Sequence, residues 1–163
     1  MRLSIVILLA ALTAPLFAGP SPAPAVKYTI DEERATTKFE AETLPQWHKD
    51  LEQAAGTKIE ITIDWPTFAG DEKVWGYLYS VSALRCPIDA LIATSGDAVG
   101  KKRLTAAVKK LVLRHDRTIK DETDKPGKGL KVELKDGTLT ITDNWSLNHL
   151  MTGDAQALIE KLL

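Results

Sequence analysis

From Thr57 to Trp65 apolar and polar side chains alternate without a break: Ile59, Ile61, Ile63 and Trp65 fall on one side, Lys58, Glu60, Thr62 and Asp64 on the other. A period of two marks an extended strand with one buried face. Lys110–His115 reads as a second strand, and a third and fourth flank Asp136-Gly137. That dipeptide suits a two-residue type I′ turn, whose central residues both need positive φ. The turn sets the register. Leu134 lies opposite Leu139 and Val132 opposite Ile141, while Lys131, Glu133 and Lys135 point away.

Helical spacing appears between these strands. Thr43 and Gln46 form a candidate capping box with Pro45 in the first turn, and Leu44, Trp47, Leu51 and Ala54 or Ala55 make one face up to Gly56, which is placed to end the helix left-handed. Pro87 suits the first position of a short helix with Ile88, Leu91 and Ile92 as its buried stripe, ended by Ser95-Gly96. Asp97 caps a helical piece through Leu104 and Ala107, and Asp154 caps a last helix that buries Leu158, Ile159 and Leu162. Trp65-Pro66 stops the first strand, since Pro has no N–H for a ladder, and Phe68 to Asp71 is a turn. Residues 26–39 read as an extended arm leading into irregular structure. Residues 73–84 alternate at Trp75, Tyr77, Tyr79 and Val81, which favours a strand over a helix. Residues 117–128 and 143–153 are loops, the second anchored by Trp145, Leu147, Leu150 and Met151.

This order predicts a single-domain α+β sandwich, with helices packed on one face of a largely antiparallel sheet of three to five strands. The stretch of some 45 residues between Trp65 and Lys110 also leaves room for a crossover, which would make those two strands parallel neighbours.

The first segment changes the address. Arg2 precedes an apolar run from Leu3 to Phe17 and small residues at Ala18-Gly19 and Ala23-Pro24-Ala25. That run is too short to span a hydrocarbon core of roughly 30 Å and reads as a secretory signal peptide, cleaved after Ala18 or Ala25. Residues 1–25 are then signal and Pro/Ala leader, and 26–163 one secreted or periplasmic domain of about 140 residues with one core and no transmembrane segment. Without Arg2 the chain carries 20 basic and 22 acidic residues, a net charge of −2 that names no partner. The single cysteine, Cys86, excludes an intramolecular disulfide and a thiolate metal cluster. It reads as a buried small apolar residue.

Candidate chemistry is sparse. There is no Gly-x-Ser-x-Gly, and Pro87 after Cys86 lacks the N–H that would serve as an oxyanion donor. His115-Asp116 and His149 lack metal-ligand spacing, no phosphate-cradling loop is present, and Asp64 with Asp143 would be an acid–base pair only if folding united them. Charge is more uneven. Lys101 to Lys120 holds eight bases (Lys101, Lys102, Arg103, Lys109, Lys110, Arg114, Arg117 and Lys120) against Asp116 alone, whereas Asp31 to Glu52 holds seven acids and three bases. Six of these bases, Lys101, Lys102, Arg103, Lys109, Lys110 and Arg114, are candidate ligands for an anionic polymer or lipid. No aromatic is interleaved with them, so nucleic acid is not the expected partner. Trp75 and Trp145 are free to line a sugar- or peptide-binding surface, although aromatic stripes are usually core.

Two local runs carry a resemblance. Leu51 to Ile59, a helix end with Gly56 followed by a strand, is similar to the opening of the short N-terminal domain of secretins and TonB-dependent receptors. Gly129 to Val132, through Asp136-Gly137 to Ile141, is similar to that domain's closing hairpin. The resemblance covers about thirty residues, separated here by some seventy, and implies an envelope docking module. The chain as a whole reads as a small secreted or periplasmic binding domain without catalysis or cofactor, its partner an envelope protein or an anionic polymer. A hydrolase of envelope or extracellular polymer is the alternative, as is a binder of anionic polymer or lipid through Lys101–Lys120.

Overall fold

Ile61 and Ile63 lie on the buried side of a four-stranded sheet in the computed structural model, which describes residues 27–72, 74, 75, 82–120, 129–145 and 152–163. The strands are β1 (Glu60–Ile63), β2 (Lys110–His115), β3 (Lys131–Lys135) and β4 (Thr138–Asp143), in spatial order β1-β2-β4-β3. The hairpin forms in the expected register, Leu134 against Leu139 and Val132 against Ile141, with Asp136 at φ 50° and Gly137 at φ 78°. The sheet is mixed rather than largely antiparallel. β1 runs parallel to β2, β2 parallel to β4, and only β3 is antiparallel. β3 takes the outer edge, so its hairpin partner β4 enters beside β2 in the direction of β2. The alternation along each strand therefore reports that one face is covered, whatever the strand direction.

The covered face presents Ile61, Ile63, Leu111, Leu113, Leu139 and Ile141, all buried. Helices lie over it: α1 (Ile30–Lys38), α2 (Leu44–Ala55), α3 (Ser82–Thr94), α4 (Ala98–Ala107) and α5 (Thr152–Leu162). Trp47, Leu51 and Ala55 form the inner face of α2, and Gly56 ends that helix at φ 71° as expected.

Residues 30–39, expected to be extended, are helical. Thr29 and Glu32 make a capping box, Glu32 N–H donating to Thr29 Oγ1 over 3.2 Å and Thr29 N–H to Glu32 Oε2 over 2.7 Å. The charged run Asp31-Glu32-Glu33 is an acidic first turn, which the helix dipole favours. Thr43 makes no side-chain cap, because the chain is already helical there: a π-helical turn, Phe39–Thr43, joins α1 to α2. That turn has a packing consequence. Eight residues of regular helix would place Trp47 about 80° from Phe39, whereas the extra residue of a π turn reduces this to about 20°. Both rings then face Trp65's neighbourhood, with Phe39 5.0 Å from Trp47 and 5.5 Å from Trp65, edge to face in each case. Replacing Thr29 by Ala should cost about 0.5–2 kcal/mol in denaturant unfolding, while Thr43→Ala should be nearly silent, the reverse of the sequence expectation.

After β1 the chain turns through a short 3₁₀ segment, Trp65–Thr67, so Pro66 does end the strand. Residues 72, 74 and 75 are helical, against the expected strand, and 76–81 lie outside the described residues. Val74 and Trp75 are both buried, which adjacent positions of a strand on a one-sided sheet cannot achieve. Trp75 stacks on Trp65 at 5.9 Å and its Nε1–H donates to the Phe68 carbonyl. α3 starts five residues ahead of Pro87, which sits inside it. Buried Ala83 and Leu84, and Arg85 held by Asp50 and Asp89 at 2.8 Å each, extend the helix past the proline's missing N–H. Asp97 caps α4 as expected, accepting from Gly100 N–H. Asp154 lies in the first turn of α5 instead of at its cap, and Ala155 and Ile159 are buried while Leu162 is exposed. Leu147, Leu150 and Met151 lie outside the described residues; Trp145 is fully buried, its Nε1–H on the Arg114 carbonyl.

Candidate functional site

Among the described residues, those singled out as candidates for catalysis are separated or sealed. His115 ends β2 on the covered face, with its side chain 1% exposed. Its Nε2 lies 3.0 Å from Asp71 Oδ2 and its ring stacks 5.3 Å from Phe68, so the turn after β1 closes over it. Its N–H is fixed by Thr67 Oγ1. A general base must reach a substrate proton, and this imidazole meets Asp71 and Phe68. Asp143 is level with His115 on the neighbouring strand and equally buried. Asp64 and Asp143 do not form the conjectured carboxylate pair, because Asp64 bonds Arg114 on the open face. Cys86 is half-buried, and burial pushes its thiol up, away from the reactive thiolate. His149 lies outside the described residues, and among those described no three His, Cys, Asp or Glu side chains converge as metal ligands. Trp75 and Trp145 are both buried, consistent with core roles.

Asp71 and Thr67, which position His115, were not among the residues singled out from sequence. The pairing joins positions 44 and 48 residues apart, and no local pattern encodes it. Glu32 is a similar case. Buried in α1, it accepts Gly70 N–H at 2.9 Å and so ties the first helix to the turn over His115. Burial pushes its carboxyl up, but the N–H groups of Thr29 and Gly70 with the side chains of Thr29 and Trp75 outweigh this and hold it below its ordinary value.

The six candidate anion ligands are divided. Lys101, Lys102 and Arg103 stand on α4, Lys102 and Arg103 exposed. Lys109 Nζ bonds the Thr105 carbonyl at the end of the same helix. Lys110 and Arg114 project from the open face of the sheet, where Lys110 meets Glu60 at 2.7 Å and Arg114 meets Asp64 at 3.0 Å.

No helix among the described residues is seen to bury the other face of the sheet, whose residues are half-buried or exposed. β4 contributes Thr138, Thr140 and Thr142, alternating with the buried Leu139 and Ile141. Thr140 is level with Val112 and Thr62 in one direction and Glu133 in the other, so hydroxyls and one isopropyl group form its centre. Ion pairs form the rim. The Lys110 hydrogen bond, followed by that of Thr62, holds the Glu60 carboxyl below its usual value. Beside the far end of β2, the Thr118 hydroxyl, then Lys131 and the Thr118 N–H, hold Asp116 far below the carboxylate range. Since a carboxyl depressed on folding stabilises the protein above its unfolded pKa of about 3.9 and loses that contribution as pH falls through the lower folded value, Asp116→Asn should lower the melting temperature at pH 7. The difference from the parent should shrink as the pH is taken below 3. A difference constant with pH would mean that Asp116 acts through shape alone.

No family model, curated protein or solved structure matches this chain.

Proposed function

We propose that this protein is a small secreted or periplasmic interaction domain that works by binding, not by catalysis, and that its open sheet face is the contact surface. The observation that carries this reading is the one-sided sheet: helices bury one face, while the other offers a flat field of hydroxyls and exchangeable surface ion pairs. Each such pair contributes only about 0–1 kcal/mol in the free protein, so a partner can replace it at little cost. A photo-crosslinking amino acid at position 140, in the producing cells, should yield an adduct of discrete mass, and the same reagent at the exposed Arg34 of α1 should not. Adducts from position 34 but none from 140 would move the contact off the sheet.

A second reading is supported by α4, which carries Lys101, Lys102 and Arg103 and no acid. Here the partner is an anionic polymer or lipid headgroup, and binding weakens with salt. Retention on heparin resin should then fall in a K102E/R103E variant; retention unchanged by those substitutions removes this helix from consideration.

A further inference from the structure

The amino ends of β1, β2 and β4 lie side by side, because the three strands are adjacent and parallel. Three connections close that end of the sheet, residues 56–59, 108–109 and 136–137, all among the described residues. The backbone laces them together. Glu60 N–H donates to the Lys109 carbonyl over 3.0 Å, and the N–H groups of Lys109 and Lys110 both donate to the Gly137 carbonyl, over 2.7 and 3.1 Å. Each connection brings a lysine: Lys58, Lys109 and, at the end of β3, Lys135. The Lys109 side chain lies over Gly137, its Cγ 3.3 Å from where a Cβ would stand, and Lys101 reaches across from α4 to Gly56, its Cε 2.9 Å from the corresponding point. Lys110 and Lys135 share one row across the sheet with Glu60 and Thr138. That row spans three strand intervals, about 14 Å.

Five lysines therefore face two acids, Glu60 and Asp136, and Lys110 already engages Glu60 at 2.7 Å. In the hollow beside this end, Lys49 and Glu52 of α2 offset each other. Two of the lysines serve helix ends, where the dipole favours a cation: Lys109 Nζ bonds the Thr105 carbonyl, and Lys101 stands at the carboxyl end of α2. Lys58 and Lys135 are exposed and make no ion pair or side-chain hydrogen bond among the described residues.

We propose that the amino end of the parallel strands binds a linear anionic polysaccharide, whose carboxylate or sulfate groups are taken up by Lys58, Lys109 and Lys135. The proposal rests on the second reading above for the class of partner, and moves the contact from the flank of α4 to the end of the sheet. An ammonium has three donors, so Lys109 keeps two for a ligand. A single small anion meets one of these cations at a time, whereas a polymer meets several, and each contact raises the effective concentration of the next. All five cations are lysines, point charges without the two-pronged geometry of Arg, which suits repeating anions in variable positions. No aromatic side chain in the three connections offers a base a stacking platform. The exposed large apolar side chains Ile30, Val99 and Leu162 belong to none of the connections, so this end has no apolar anchor for a bilayer.

The test titrates the whole protein with a heparin octasaccharide, following amide chemical shifts and affinity. Shifts should centre on Lys58, Lys109 and Gly137, and affinity should fall about tenfold between about 50 and 200 mM salt. A K58Q/K135Q variant with an unchanged melting temperature should bind about tenfold more weakly, while K102Q/R103Q, which neutralises two charges on the flank of α4, should lose about threefold or less. If K102Q/R103Q loses as much as K58Q/K135Q or more, the inference is overturned and the α4 reading stands; if the parent does not bind, both fall. Phosphatidylglycerol vesicles or a single-stranded oligonucleotide held as tightly as the octasaccharide at equal salt would also overturn it.

Discussion

Gly100→Ala destabilises the protein by about 1–3 kcal/mol, although Gly100 lies in a helix, where the same change ordinarily gains up to about 1 kcal/mol. The sign is reversed by the approach of α3 to α4. Only Ser95 to Asp97 separate the two helices, and a Cβ at Gly100 would meet the carbonyl oxygen of Thr94 well inside contact distance. That oxygen belongs to the backbone at the end of α3, and Thr94 is itself buried with its hydroxyl on the Ala90 carbonyl, so it cannot rotate aside as a surface side chain would. Relief requires α4 to shift, which disturbs the Asp97 cap whose carboxylate accepts Gly100 N–H at 2.7 Å. Gly153→Ala is the control: it also lies in a helix, and among the described residues nothing approaches within 4 Å of an added Cβ. Urea unfolding should show a lower midpoint at unchanged m value for Gly100→Ala and an equal or higher midpoint for Gly153→Ala. If Gly100→Ala were neutral, the α3–α4 connection would be looser than its geometry states.

The second large effect is at the strand that organises the sheet. Ile61 is 3% exposed, in the middle of β1, and its truncation to Ala should cost about 2–5 kcal/mol. Its neighbour Thr62 points to the open face, and Thr62→Ala should stay within about 0.5 kcal/mol. The ratio carries more than either value. A loss below 1 kcal/mol at Ile61, or the larger loss at Thr62, would mean that β1 faces the other way, and the assignment of Thr62 to the binding face would fall with it.

Where two local patterns coincide, sequence and structure agree. The hairpin is the clearest case, since Asp136-Gly137 demands one turn and the alternation of Val132, Leu134, Leu139 and Ile141 demands the same register. Gly56, Pro66 and Asp97 act where their backbone chemistry predicts. A single local signal is more easily overridden by the surrounding structure. Thr43-Gln46 had the form of a capping box, but a side-chain cap is needed only where backbone N–H groups lack partners, and the preceding helical turns already supply them. The true cap, Thr29-Glu32, lies in a stretch whose few apolar positions show no clear period, so nothing local marks the helix that follows. At Val74-Trp75, aromatic and β-branched content suggested a strand, yet packing on Trp65 decided for helix.

The sequence by itself determined which side of each strand is buried, because a side-chain period of two leaves no choice once one face must leave water. It determined the hairpin register and several element ends for the same reason: turn and cap chemistry acts over a few residues. Only the tertiary structure decided that β1, β2 and β4 are parallel, since strand direction depends on where the intervening chain crosses, and alternation is blind to it. The tertiary structure also decided that His115 is closed beneath Phe68 and Asp71, and that Thr62, Val112 and Thr140 share one uncovered surface. Those groupings join residues about thirty to eighty positions apart, and only the packing of the core brings them together.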